Sequence, residues 1–111
     1  MSQDNTTPEP NSALNDQTAQ ALEAVAEARR KLEEAPATVV VANHAMGLFE
    51  LAAIHLSGEP PRLSDAKLAI DALALIVEGL GERIGEHHDT LVAALGNIQL
   101  VYVQRSQLFK D

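Results

Sequence analysis

Three stretches of this chain, residues 38–57, 64–84 and 88–108, carry apolar side chains around most of a helical circumference, not along one stripe alone. A helix at the surface of a globular domain normally sets one apolar face against one polar face. A helix that is apolar on two sides must be covered on two sides. The three stretches sit in the last 75 of 111 residues, behind an acidic leader flanked by prolines. A core of about 75 residues buries only a modest fraction of its surface and is marginal alone. With no cysteine, the chain has no disulfide framework, thiolate zinc site or cysteine nucleophile. Oligomerisation is the remaining way to stabilise so small a core, and the expectation is a homodimer.

Residues 1–12 hold Pro8, Pro10 and acids with almost nothing apolar, and should be a disordered acidic tail. Residues 13–36 form an amphipathic N-terminal helix and linker. Asn15 or Asp16 caps its start, and Ala19, Ala21, Ala24, Ala26 and Ala28 supply helical propensity. Leu22, Val25, Arg29 and Leu32 mark a narrow stripe, and Pro36 ends the helix. Residues 37–111 form the helical core domain. Its first helix buries Ala42, Ala45, Met46, Phe49, Ala53 and Leu56 and stops at Gly58, before the stiff connector Glu59-Pro60-Pro61. Ser64 caps the second, which buries Ala69, Ile70, Leu73, Ile76, Val77, Leu80 and Ile84. Lys67, Asp71, Glu78 and Glu82 form its solvent stripe, and a turn at Gly85-Glu86 leads to the third. There Leu91, Leu95, Ile98, Tyr102 and Phe109 share one face. The expected fold is all-α: a three-helix antiparallel core bundle with an additional N-terminal helix, joined by short connectors.

Two sets of apolar residues fall on the sides where such helices carry charges. Val40, Leu51 and Ile54 lie near the polar side of the first core helix, beside Asn43 and Glu50. Val92, Leu100 and Val103 lie among Gln99, Gln104 and Gln107 on the third. The first set is the expected self-contact and the second the alternative.

The charge pattern excludes other partners. The net charge of −8 divides evenly between residues 1–36 and 37–111, and the one basic cluster, Arg29-Arg30-Lys31, runs into Glu33 and Glu34. Neutralising phosphates requires concentrated Lys and Arg, so no direct nucleic-acid binding is expected. The N-terminus has neither a basic nor an apolar region of the kind a signal peptide needs. Residues 37–56 are long enough to cross a bilayer, but Asn43, His44, Glu50 and His55 interrupt them. A core helix, no membrane association and a cytoplasmic location are expected.

Four histidines are the low-probability ligand candidates. His44 and His55 are eleven residues apart and share a helical face, but stand about 16 Å apart at 1.5 Å per residue. One metal cannot take both from one helix. His87 and His88, between Glu86 and Asp89, read as solvated first-turn residues, since neighbours on a helix point about 100° apart. Glu50, the one acid inside the first core helix, has no evident partner for acid–base work. Phosphate loop and nucleophile elbow are both absent. No cofactor and no enzymatic activity are expected.

The segments MGLFELAAIHLSG (46–58) and LSDAKLAIDALALIVEGLGERIGEHHDTLVAALGNIQLVYVQ (63–104) resemble the bacterial family catalogued as domain of unknown function 1844. The resemblance rests on the Phe49-to-Gly58 helix end, on Ala66, Ala69-Ile70-Asp71 and Leu73, and on Leu91, Leu95 and Tyr102-Val103. Residues 78–85 depart from the usual pattern and resemble actinobacterial versions. The resemblance implies a small helical cytoplasmic protein with no assigned activity. It also implies a gene neighbourhood of translation initiation factor three and ribosomal proteins, which points toward an accessory factor of translation; the acidic surface would then meet a basic protein partner by charge complementarity. The three functional expectations are thus a helical interaction or structural protein forming a homodimer, that accessory factor, and a metal- or small-ligand-binding bundle built on the histidines.

Overall fold

The computed structural model describes residues 10–109, with side chains from Ala13 to Phe109. All regular structure among the described residues is helical: α1 Pro10–Glu34, α2 Ala37–Leu56, α3 Leu63–Leu80, a 3-10 segment Gly81–His87, and α4 His88–Leu108. The all-α expectation is met. The described residues fall into two compact units divided between Ala35 and Pro36.

The first unit is α1. It begins three residues before the expected start, so Asn15 and Asp16 lie inside it and cap nothing. Expected disorder over residues 1–9 lies outside the described residues. Arg29–Glu33 and Arg30–Glu27 pair along its surface. Leu14, Leu22, Val25 and Leu32 are all exposed, so α1 owes its helicity to alanine content and local pairs.

The second unit holds α2, α3 and α4 in mutual contact. Arg62 donates its N–H to the carbonyl of His55 at 2.9 Å, which folds the connector tightly back. Thr38 and Val41 near the start of α2 line a small cleft with Leu80 and Ile84 near the end of α3, so α2 and α3 run antiparallel. Lys67 and Ile70 of α3 line another with Tyr102 and Val103 of α4, so α3 and α4 are antiparallel too. The core contains Ala42, Ala45, Ala52 and Leu56 of α2 and Ala66, Ala69, Ile70, Leu73 and Val77 of α3. Ile84 and Leu91, Leu95 and Ile98 of α4 complete it. Alanines dominate the α2–α3 seam and let the two helices approach closely.

Several local expectations are corrected. Ser64 is the second residue of α3 and not its cap; Arg62 stands at the cap position without a side-chain bond, and Asp65 pairs with it at 3.7 Å. The second core helix stops at Leu80 and not at 84. Gly81 (φ 55°, ψ −134°) and Gly85 (φ 83°, ψ −143°) adopt backbone angles that side chains disfavour. They break the helical run so that Ile84, held in the 3-10 segment between them, reaches the core at 1 % exposure. Phe109 lies past the end of α4, where Arg105 stacks on its ring at 4.7 Å.

Candidate functional site: the outer face of α2 and α3

The second unit exposes as many large apolar side chains as it buries. Leu56, Ile70, Leu73, Val77, Ile84, Leu91, Leu95 and Ile98 are buried. Leu51, Ile54, Leu68, Leu75, Val92, Leu100, Val103 and Leu108 are exposed. Singly exposed leucines are ordinary, but a contiguous apolar patch of several hundred Å² marks an interaction site.

The exposed residues are not scattered. α4 packs beside Phe49, Ala53 and Leu56 of α2 and beside Ile70 of α3, where the exposed Lys67 and Asp71 edge the cleft between the two helices. The opposite flanks of α2 and α3 therefore form one surface away from α4. On α2 it carries the expected Val40, Leu51 and Ile54, with Val40 half-buried, Leu51 42 % exposed and Ile54 66 % exposed. Along this surface His44 is exposed and His55 half-buried on one side of the line from Val40 to Ile54, and Asn43 and Glu50 are exposed on its other side. Gly47 stands at its middle, and a side chain added there would meet nothing within 4 Å. On α3 the surface carries Leu68 and Leu75, each 73 % exposed. These two leucines are the most important residues that sequence reasoning missed. The signal was present in their seven-residue spacing beside the charged stripe of Lys67, Asp71 and Glu78. The second expected set, Val92, Leu100 and Val103, is also exposed, but Gln99, Gln104 and Gln107 divide it.

A different feature organises the far end of the bundle. Arg105 of α4 donates from Nε to the Leu56 carbonyl at 3.0 Å and from Nη2 to the Gly58 carbonyl at 2.8 Å. Nη2 also lies 3.1 Å from the Glu59 carboxylate. The guanidinium thus satisfies carbonyls that the end of α2 leaves open. Beside it lies a shallow cleft of about 330 Å³, with walls from Phe49, Ala53, Ile98 and Val101. Because Arg105 is bonded to the chain's own carbonyls, the cleft is an apolar groove with a structural clamp at one end.

The histidines are placed apart from any ligand set. His87 lies 4.0 Å from Glu86, and His88 lies 3.5 Å from Asp89, each beside its own sequence neighbour. Among the described residues, no three His, Cys, Asp or Glu side chains gather as a metal would require. Glu50 is exposed on α2. Lys67 donates to Asp71 at 2.8 Å; that hydrogen bond and the Asp71 charge hold the Lys67 ammonium above its usual pKa. α2 is long and apolar enough to cross a membrane by length and composition, yet one of its faces forms the floor of the core.

No protein-family model, curated protein or solved structure matches this chain.

Proposed function

We propose that this protein is a non-enzymatic helical interaction protein that works as a homodimer, with a three-helix core and α1 as an additional arm. One observation carries the reading: from Pro36 onward eight large apolar side chains are open to solvent against eight in the core. A 76-residue unit with so small a core gains most by covering that surface with protein. The outer face of α2, through Val40, Leu51 and Ile54, is the self-contact; the α4 face with Val92, Leu100 and Val103 is the alternative. Light scattering on the full chain at micromolar concentration tests the reading. A mass twice the 11.9 kDa of one chain is expected, and a monodisperse single copy overturns it.

A second reading is an accessory factor of translation that binds a basic protein, as the family resemblance suggests. It is favoured by the exposed acids Glu78, Glu82, Glu86 and Asp89, which follow one another along the end of α3, the 3-10 segment and the start of α4. Such a surface meets a basic partner by charge complementarity. Capture of basic proteins from a lysate that weakens with rising salt is the expected result, and salt-insensitive or absent capture counts against it. Both readings place the protein in the cytoplasm, with no membrane or nucleic acid bound.

A further inference from the structure

We infer that the occupant of the α2–α3 face is a second copy of this chain, packed antiparallel about a twofold axis that passes between Gly47 and Ala72. The inference rests on the self-association proposed above and specifies its geometry. On α2, Val40 and Ile54 stand seven residues either side of Gly47, and all three project on one line of the helix surface. Reversing the helix about Gly47 exchanges Val40 with Ile54, His44 with Leu51, and Asn43 with Glu50, to within one residue. On α3, Leu68 and Leu75 stand either side of Ala72 and exchange in the same way.

The packing of the two helices links these two centres. Arg62 meets His55 at one end of the pair, and Leu80 lies beside Thr38 and Val41 at the other. Counting inward from either end brings Ala72 level with Gly47. Two independent arrays, on two helices, therefore share one centre. A face symmetric under its own reversal is what an isologous interface requires, since each residue must fit the partner's equivalent. In that arrangement the helices cross at Gly47, where the missing side chain lets two backbones approach. Leu68 of each copy meets the partner copy's Leu75, and Asn43 is brought to the partner copy's Glu50.

The apolar character of the face favours a second copy over other occupants. On α2 the single acid is Glu50 in a chain of net charge −8, and on α3 Asp71 and Glu78 lie in the stripe beside the leucines, so a basic protein would seek the acids outside the line of Val40, Gly47 and Ile54. The lysine beside the face, Lys67, is paired with Asp71 at 2.8 Å, so it offers no unpaired cation of the kind a helix lying on an anionic membrane needs. A specific interface requires about 1,000 Å² or more of buried surface, and a second copy supplies an apolar face of the same extent to cover this one.

The test places one side chain at two glycines. Gly47 and Gly96 both sit inside helices with nothing within 4 Å of an added Cβ, so leucine at either improves helix propensity. Gly47→Leu is expected to weaken dimerisation about a hundredfold or more by light scattering, with helicity retained by circular dichroism. Gly96→Leu is expected to leave the dimer intact. Leu75→Glu, a charge on the face and not in the core, is expected to behave like Gly47→Leu. In this cysteine-free chain, Gly47→Cys is expected to oxidise to a cross-linked dimer, and Glu78→Cys, on the charged stripe, is not. If the wild type is a dimer but Gly47→Leu leaves it intact and Leu100→Glu splits it, the geometry is wrong and self-association stands. If the wild type is a single copy, both fall. Sedimentation of the wild type with anionic vesicles that Leu75→Glu abolishes assigns the face to a lipid surface and overturns the inference.

Discussion

At the scale of single residues, Arg105 shows how one side chain can close a bundle that lacks other staples. Its planar fork reaches two carbonyls and one carboxylate at the turn that follows α2, and at 23 % side-chain exposure these bonds are partly shielded. Hydrogen bonds to a charged group contribute about 1.5–3 kcal/mol each in partly buried settings. Arg105→Met should lower unfolding free energy in urea by about that amount. Arg105→Lys should recover less than half, since an ammonium cannot span both carbonyls. Gly85 is the second sensitive position. Its positive φ of 83° opposes a side chain there, while the Thr38 side chain, 3.6 Å from an added Cβ, would make an ordinary contact. Gly85→Ala is expected to destabilise by about 1–3 kcal/mol. Gly96→Ala, in the regular part of α4, should stabilise by about 0.5–1 kcal/mol. Opposite signs for the same substitution distinguish backbone conformation from loss of a glycine as such.

At the scale of elements, α3 carries the contrast between covered and open leucines within one helical turn. Leu73 is fully buried and Leu75 is 73 % exposed. Leu73→Ala should destabilise by about 2–5 kcal/mol through lost contacts and a residual cavity. Leu75→Ala, extrapolated to low protein concentration, should change folding free energy by less than about 0.5 kcal/mol. Equal effects would mean that α3 is rotated about its axis from the position described. The Lys67–Asp71 pair on the same helix works differently. Because Asp71 raises the Lys67 pKa, the pair's contribution is present at neutral pH and lost only as pH climbs through that raised value. Lys67 is fully solvated, so the contribution is heavily screened. Replacing Lys67 by Gln should leave the melting profile between about pH 7 and pH 9 unchanged, below the usual lysine range.

At the scale of the whole molecule, the two units differ in what holds them. α1 has local pairs and propensity, whereas most helical stability in proteins comes from packing an apolar face against other elements. The unit from Pro36 onward has a core of thirteen buried residues, five of them alanine. Residues 36–111 alone should stay helical and cooperative on heating, with the same self-association as the full chain. A peptide of residues 10–34 should be only partly helical. Non-cooperative melting of the 36–111 fragment would show that the core needs the rest of the chain.

Helical type, the position of α2 within one residue and the span of α4 were legible in the sequence, because apolar periodicity and the prolines at 36, 60 and 61 are local signals. So was the surplus of apolar surface, to which α2 contributes the exposed Leu51 and Ile54. The end of α3 was less legible. A glycine pair at 79 and 81 reads as a loosened turn, and only packing decides that Gly81 and Gly85 take non-helical angles so that Ile84 can reach the core. Leu68 and Leu75 escaped because a wheel drawn on one helix cannot say which flank a neighbour covers. The tertiary structure decides that through the side on which α4 packs. It also sets Gly47 level with Ala72, a relation between two helices that periodicity along either one cannot contain. Sequence by itself determined the helices and their excess of apolar surface; where that surface collects followed only from how the helices pack, because burial depends on neighbours distant in the chain.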